Sequence, residues 1–348
     1  MKPRTPVLAA LGAAVLFGAS TPFAKRLSSD IPPTLLASLL YLGSGLGLWT
    51  TRLIRDRSVA SPGLQSAEWG WLAGAIGFGG VLGPILLMYG LTRTSGAAAS
   101  LLLNLEAVLT ALLAWVVFRE NADRRVVLGM ALIVAGGVVL ASPAGSGAGG
   151  GALGALAVAG ACLCWAVDNN LTRKVSASDA LFIAGTKGLV AGATNLILAL
   201  LLGATLPGGP RILEAMAVGL AGYGASLVLF VIALRGLGAA RTGAYFSTAP
   251  FIGAAIAIVG FHEPGSVAFW GAAALMAAGV WLHLTERHEH AHTHALLIHT
   301  HSHRHDSHHQ HVHDFKWDGR EPHAHEHRHE PMLHSHPHYP DIHHQHPH

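Results

Sequence analysis

Three charged side chains, Glu106, Asp168 and Lys187, stand inside long apolar runs. A charge at the centre of a bilayer costs about 2.5–3.5 kcal/mol on insertion scales, so such a residue faces a partner or a polar cavity rather than lipid. Lys187 falls about nine residues into its run, near mid-membrane, whereas Asp168 stands late in its own, within reach of the interface. The chemistry open to the trio is binding of a polar solute or a coupling proton. The plainer reading is an ion pair, or a side chain reaching up to water.

The same runs hold uncharged polar residues, among them Asn104, Asn169, Asn170, Asn195, Tyr245 and Ser247. Interhelical hydrogen bonds account for most of them. Tyr245 and Ser247 stand apart because a repeat described below makes them the counterparts of Leu102 and Asn104. Trp165 is the counterpart of Phe17 and is a candidate for lining a cavity or for packing. Cys162 and Cys164 point about 200° apart on a helix and cannot chelate one ion together. Cys164 and Asp168 share a face, but small buried cysteines are the plainer reading.

A second chemistry lies at the C-terminal end. Of 25 histidines, 23 fall between His288 and His348, many in H-x-H alternation. The clearest sets are His288, His290, His292 and His294; His299, His301, His303 and His305; and His323, His325, His327 and His329. Neutral imidazole suits zinc, nickel, copper and cobalt, and the array offers many overlapping sites that favour Cu(II) and Ni(II) without much discrimination. A pH-responsive tail and plain low complexity are the alternatives. Few apolar residues interleave, so residues 287–348 are expected to be disordered. The expectation for cofactors is that none is required, with a divalent transition metal on the tail.

The elements that must position these groups are membrane spans. Hydrophobic residues make up 51% of the 348 and charged residues 12%, half the share of a soluble domain. Of the 41 charged residues, 13 lie in the last 62 positions. Ten apolar runs are expected to be helices, at about 6–27, 33–54, 69–91, 95–118, 124–141, 151–171, 179–202, 212–235, 239–261 and 266–284. The first is expected to be retained rather than cleaved as a signal peptide. With the N-terminus inside, inner loops and ends carry thirteen Lys and Arg against four outside, a positive-inside bias. Both termini are therefore expected in the cytoplasm.

The halves repeat. Residues 91–120, LTRTSGAAASLLLNLEAVLTALLAWVVFRE, correspond to 234–263, LRGLGAARTGAYFSTAPFIGAAIAIVGFHE, at an offset of 143. A weaker echo pairs Phe17–Ser20 and Lys25 with Trp165–Asp168 and Arg173, at an offset of 148. Five helices per half invert the second relative to the first. The expected fold is all-α, with one five-helix repeat in 1–142, an inverted one in 143–286 and the tail in 287–348.

These residues resemble the EamA branch of the drug/metabolite transporter superfamily. The resemblance rests on Phe17-Gly18-Ala19-Ser20, Gly96–Leu102 running into Leu105-Glu106-Ala107-Val108, and Arg119-Glu120. The second half supplies Ala239–Pro250 and His262-Glu263-Pro264. The family usually has Glu-Pro where this chain has Glu106-Ala107, and the second half keeps Pro250 behind Ala249. The resemblance implies a ten-helix secondary transporter, often an exporter of small metabolites, in the inner cell membrane.

No G-x-x-x-x-G-K-[ST] pattern occurs, the two H-E-x-x-H matches, at 288–292 and 325–329, arise from the H-x-H alternation of the tail, and no enzyme activity is expected. The alternatives are a divalent-metal transporter, a metal-regulated transporter, and a membrane-anchored metal buffer or sensor. Expected partners are the bilayer, a small-molecule or ion substrate and, at most, a second copy in a homodimer. Nucleic acid is not expected, because the basic residues lie in short loops.

Overall fold

The structure, a computed structural model of the chain, describes residues 4–56, 64, 66, 68–118, 124–142, 152–175 and 178–285, with the backbone of 289–293, 297–303, 323–329 and 333–337. Helices α1 (Arg4–Leu27) and α2 (Pro33–Asp56) open it. Helix α3 (Glu68–Ala75) runs through a π turn at Ile76–Leu82 into α4 (Gly83–Thr92). Then come α5 (Gly96–Leu102), α6 (Leu105–Phe118) and α7 (Arg124–Ala141).

In the second half, α8 (Ala152–Val175) and α9 (Ala180–Leu201) precede α10 (Gly209–Gly219). A π turn at Leu220–Ala225 joins α10 to α11 (Ser226–Phe246). Helix α12 (Ala249–Ala255) runs into a third π turn at Ile256–Gly260, which has no counterpart in the first half, and α13 (Val267–Leu284) completes the helical part. Side chains cap several starts: Ser95 and Ser266 each accept a backbone N–H at 3.1 Å, from Ala98 and Phe269.

Among the described residues, nine helical stretches are long and apolar enough to cross a membrane. Helix α2 is a tenth helix, of 24 residues, that falls outside this set. Its Ser38, Tyr41 and Ser44 are buried inside the protein instead of facing outward. Ser38 donates to the Gly192 carbonyl at 3.0 Å and Tyr41 to the Gly79 carbonyl at 2.7 Å. The outer surface has the opposite character, with Leu8, Val138, Leu201 and Val259 65–79% exposed. Apolar outside and polar-spotted inside is the arrangement that lipid demands.

Small residues let backbones touch. A Cβ on Gly188 of α9 would lie 2.5 Å from the Gly45 nitrogen of α2. Helices α7 and α13 meet in a crossed pair of contacts: a Cβ on Gly129 would lie 2.8 Å from the Gly279 oxygen, and one on Gly136 3.0 Å from the Ala272 oxygen. At the offset of 143, Gly136 corresponds to Gly279 and Gly129 to Ala272.

Two further features recur at nearly that spacing. One is the π turn, at Ile76–Leu82 and Leu220–Ala225. The other is a break, between α5 and α6 at 103–104 and between α11 and α12 at 247–248. At the first break the Asn104 N–H reaches Leu101 and the Glu106 N–H reaches Leu103, both at 3.0 Å. The chain tightens there without freeing those donors.

In the tail, β1 (Glu289–Thr293) pairs antiparallel with β4 (Leu333–Pro337), and β2 (Leu297–His303) with β3 (His323–His329). For these segments the expectation of disorder is corrected to paired strands. Alternation of His with another residue has period two, which is the period of a strand. The register sets His299, His301 and His303 opposite His327, His325 and His323. His288, His294 and His305 lie outside the described residues.

Candidate functional site

A cavity of about 70 Å³, room for a few waters, lies where α1, α2, α6, α8, α9 and α11 converge with the second π turn. Its charged core comes from α8 and α9. Lys187 Nζ donates to Asp168 Oδ1 at 2.5 Å, to Asp168 Oδ2 at 2.7 Å and to Thr172 Oγ1 at 3.2 Å. Thr172 donates in turn to Asp168 Oδ1 at 2.8 Å. Lys187 is 2% exposed, so the pair is buried, and each charge depends on the other. Asp168 was expected within reach of the interface. It is instead buried and turned to Lys187, one helical turn from the Thr172 hydroxyl.

Glu106 reaches the same cavity from the first turn of α6. Its Oε1 accepts from Asn169 Nδ2 at 2.8 Å. Asn169 therefore joins α6 to α8 across 63 positions, an interhelical hydrogen bond of the kind expected for it, with Glu106 as the partner the sequence did not name.

Aromatic rings form the rest of the wall. The Phe17 ring centroid is 5.8 Å from those of Trp165 and Tyr223, both edge-on, and 5.3 Å from that of Phe246. Tyr41 stands 5.4 Å from Tyr223, and Phe230 stands 5.0 Å from Phe246. Phe17 and Trp165, expected counterparts in the two halves, thus touch each other at the centre.

The first π turn explains how two of these rings are held. Opening the helix frees carbonyls from the regular ladder. Gly79 accepts both Tyr41 and, at 3.0 Å, the Trp165 indole, while Gly80 accepts Asn195 at 3.0 Å. Gly79 is also required for room, because a Cβ there would run into the Asp168 carboxylate.

The structure thus brings together Glu106, Asp168, Lys187 and Trp165. It does not bring Asn104, Tyr245 or Ser247 to the cavity wall. Asn104 donates to the Leu101 carbonyl and faces the Met276 sulfur. Ser247 donates to the Gly243 carbonyl, and Tyr245 packs beside Ala9, Ala10 and Ala233. Phe246, between the last two, lines the cavity instead. Tyr41, Tyr223, Ser226, Phe230 and Phe246 went unselected in the sequence. Tyr41 and Tyr223 had a signal, a phenol in the middle of an apolar helix that needs a wet or hydrogen-bonded surrounding. Cys162 is buried against the Leu102 carbonyl.

Ion pairs and caps tie down both ends of the bundle. At one end Glu263 accepts from the backbone N–H groups of Gly96 and Ala97, Lys25 donates to the Leu91 carbonyl at 2.5 Å, and Arg211 pairs with Asp30 at 2.9 Å. At the other, Arg52 lies 5.2 Å from the centres of both Trp49 and Phe182, and Arg55 pairs with Asp56 and Asp179. Burial would raise the Asp179 carboxyl, but the Arg55 hydrogen bond and the N–H groups of Phe182 and Leu181 outweigh it and hold it below its ordinary value.

The model of the EamA-like transporter family matches residues 4–142 and again residues 152–285. The chain belongs to that family. An uncharacterized transporter of Methanothermobacter thermautotrophicus is 28% identical over 288 residues, which cover 78% of this EamA-like chain and 83% of the relative. A solved crystal structure of a protein 22% identical superposes with a TM-score of 0.62, over 80% of this chain and 94% of its own. That likeness is one of fold. The EamA-like protein is thus a multi-pass membrane transporter by family and by its apolar helices.

Proposed function

We propose that this EamA-like chain is a secondary exporter of a small polar metabolite, working from the central cavity. The observation that carries the reading is the buried Lys187–Asp168 pair and Glu106 set around one cavity between the two halves. Buried charge is expensive, and a polar solute pathway is the use that offsets the cost.

The reading includes α2 as a tenth span and two inverted five-helix repeats. Three things support the repeats: the π turns and breaks that recur near an offset of 143, the contact of Phe17 with Trp165, and the crossed contacts of α7 with α13. Crossed contacts, in which i meets j′ and j meets i′, are what a two-fold axis produces. The reading also places both termini in the cytoplasm of a cell with an inner membrane, and admits a homodimer.

The test is reconstitution of the full chain into liposomes loaded with a small-metabolite extract, followed by mass spectrometry of what leaves. Depletion of a few solutes relative to protein-free liposomes is expected. A profile identical to that of protein-free liposomes removes the reading.

On the tail, His288–His294, His299–His305 and His323–His329 are proposed to hold a divalent transition metal. A second reading follows from the tail's position, four residues past the end of α13 at Leu284: the chain moves the metal itself. It ranks second because, among the described residues, no three His, Cys, Asp or Glu come together in a way that could hold an ion.

A further inference from the structure

The tail keeps a register that alternation within one strand does not require. In the ladder of β2 with β3, His299, His301 and His303 stand opposite His327, His325 and His323. In the ladder of β1 with β4, His290 and His292 stand opposite His336 and His334. All five rungs match histidine with histidine. A slip of one residue would set histidines against residues such as Glu326 and Ser335 instead.

The two ladders also share one register. Leu297 lies four positions beyond Thr293, and its partner His329 lies four positions before Leu333, the partner of Thr293. They are successive lengths of one hairpin. Apolar contact does not account for the match, because the rungs between the histidines, among them Ala291–Ser335, Thr300–Glu326 and Ser302–Ala324, are small or polar. A two-stranded hairpin on its own is marginally stable in water. Facing histidines repel each other once protonated.

What facing imidazoles share is affinity for a divalent transition metal ion. Partners across an antiparallel pair have Cα atoms about 4.5–5.5 Å apart, and successive histidine rungs lie about 7 Å apart along the strand. Histidines so spaced reach one ion through metal–nitrogen bonds of about 2.0–2.1 Å. Binding that draws on both strands is then folding free energy for the hairpin.

We propose that the tail is a metal-stapled hairpin, in which each ion takes histidines from both strands on neighbouring rungs. His299, His301, His325 and His327 form one such set, and His290, His292, His334 and His336 form another. The inference rests on the reading of the tail as a metal binder and assigns which residues share an ion.

The test uses the full chain in detergent, with Cys162 and Cys164 replaced by alanine and nitroxide labels on Thr300→Cys and Glu326→Cys. Those two positions form a rung without histidine. Zinc should raise the dipolar broadening between the labels about twofold or more over the same sample in EDTA, and neither label alone should show it. Replacing the six histidines of β3 and β4 by alanine should abolish the rise. That variant keeps the five histidines of β1 and β2 and should still bind zinc, read by chelator competition.

Zinc bound by the labelled chain with no rise in broadening overturns the inference and leaves the tail standing as a metal binder. A rise that survives in the six-alanine variant also overturns it. Absence of bound zinc in the labelled chain removes the tail reading and the inference together.

Discussion

The carboxylate of Glu263 accepts the Ala97 N–H at 2.8 Å, so the residue that closes the repeat element of the second half caps the helix that opens its counterpart in the first. Gly96 donates to the other oxygen at 3.1 Å. A carboxylate on the first-turn donors of α5 satisfies groups that no residue within the helix can reach.

Removing that cap should be felt at a distance of 166 positions. Glu263→Ala is expected to cost about 1.5–3 kcal/mol, the usual size for hydrogen bonds to a charged group, and Glu263→Gln less. Thermal unfolding in detergent measures it. Unfolding curves that coincide with those of the unaltered chain would mean that the cap holds nothing.

Lys187 and Asp168 should show strong coupling. Lys187→Met alone strands the Asp168 carboxylate and is expected to cost about 3–5 kcal/mol, as is Asp168→Asn alone. The double variant removes both charges and should recover most of that stability while transport stays lost. A double-mutant cycle on unfolding, run beside liposome efflux, separates the two effects. Additive losses would show that the pair is not a unit.

Two glycine positions predict opposite signs. Gly188→Ala places its Cβ 2.5 Å from the Gly45 nitrogen and should destabilise by about 1–3 kcal/mol. Gly271→Ala, with nothing within 4 Å, should be neutral or up to about 1 kcal/mol stabilising. Unfolding of both variants in one detergent checks the order, and a reversal would refute the close approach of α2 to α9.

Removal of residues 288–348 should abolish nickel and zinc binding, read by competition with a coloured chelator. In the full chain, lowering the pH from about 7.5 to 5.5 should release the metal, because protonated imidazole is no ligand. Retention of metal by the truncated protein would place the site among the helices.

A reporter active only outside the cytoplasm, fused after Leu284, should be silent. Activity there would invert the proposed orientation.

The helices were largely legible, although the boundary read between 235 and 239 is crossed by the continuous helix Ser226–Phe246. The run read at 124–141 is the helix Arg124–Ala141, and those read at 33–54 and 266–284 are Pro33–Asp56 and Val267–Leu284. Apolar length carries that information along the chain. What joins distant segments was not legible. Position within its run put Asp168 near water, yet the ammonium of Lys187, 19 positions on, draws it inward. The same limit applies to Tyr245 and Ser247, which the repeat picked out but which do not line the cavity. The first π turn left no periodic trace, and only the carbonyls of Gly79 and Gly80 with their side-chain donors reveal what it is for.

The contact of Gly45 with Gly188 also restricts how the two halves can move. The same closeness continues on either side, where a Cβ on Gly192 would lie 2.7 Å from the Leu42 nitrogen and one on Gly185 2.9 Å from the Trp49 ring. Interlocked over these turns, α2 and α9 cannot slide past each other without a clash, and the two halves are pinned together along this seam.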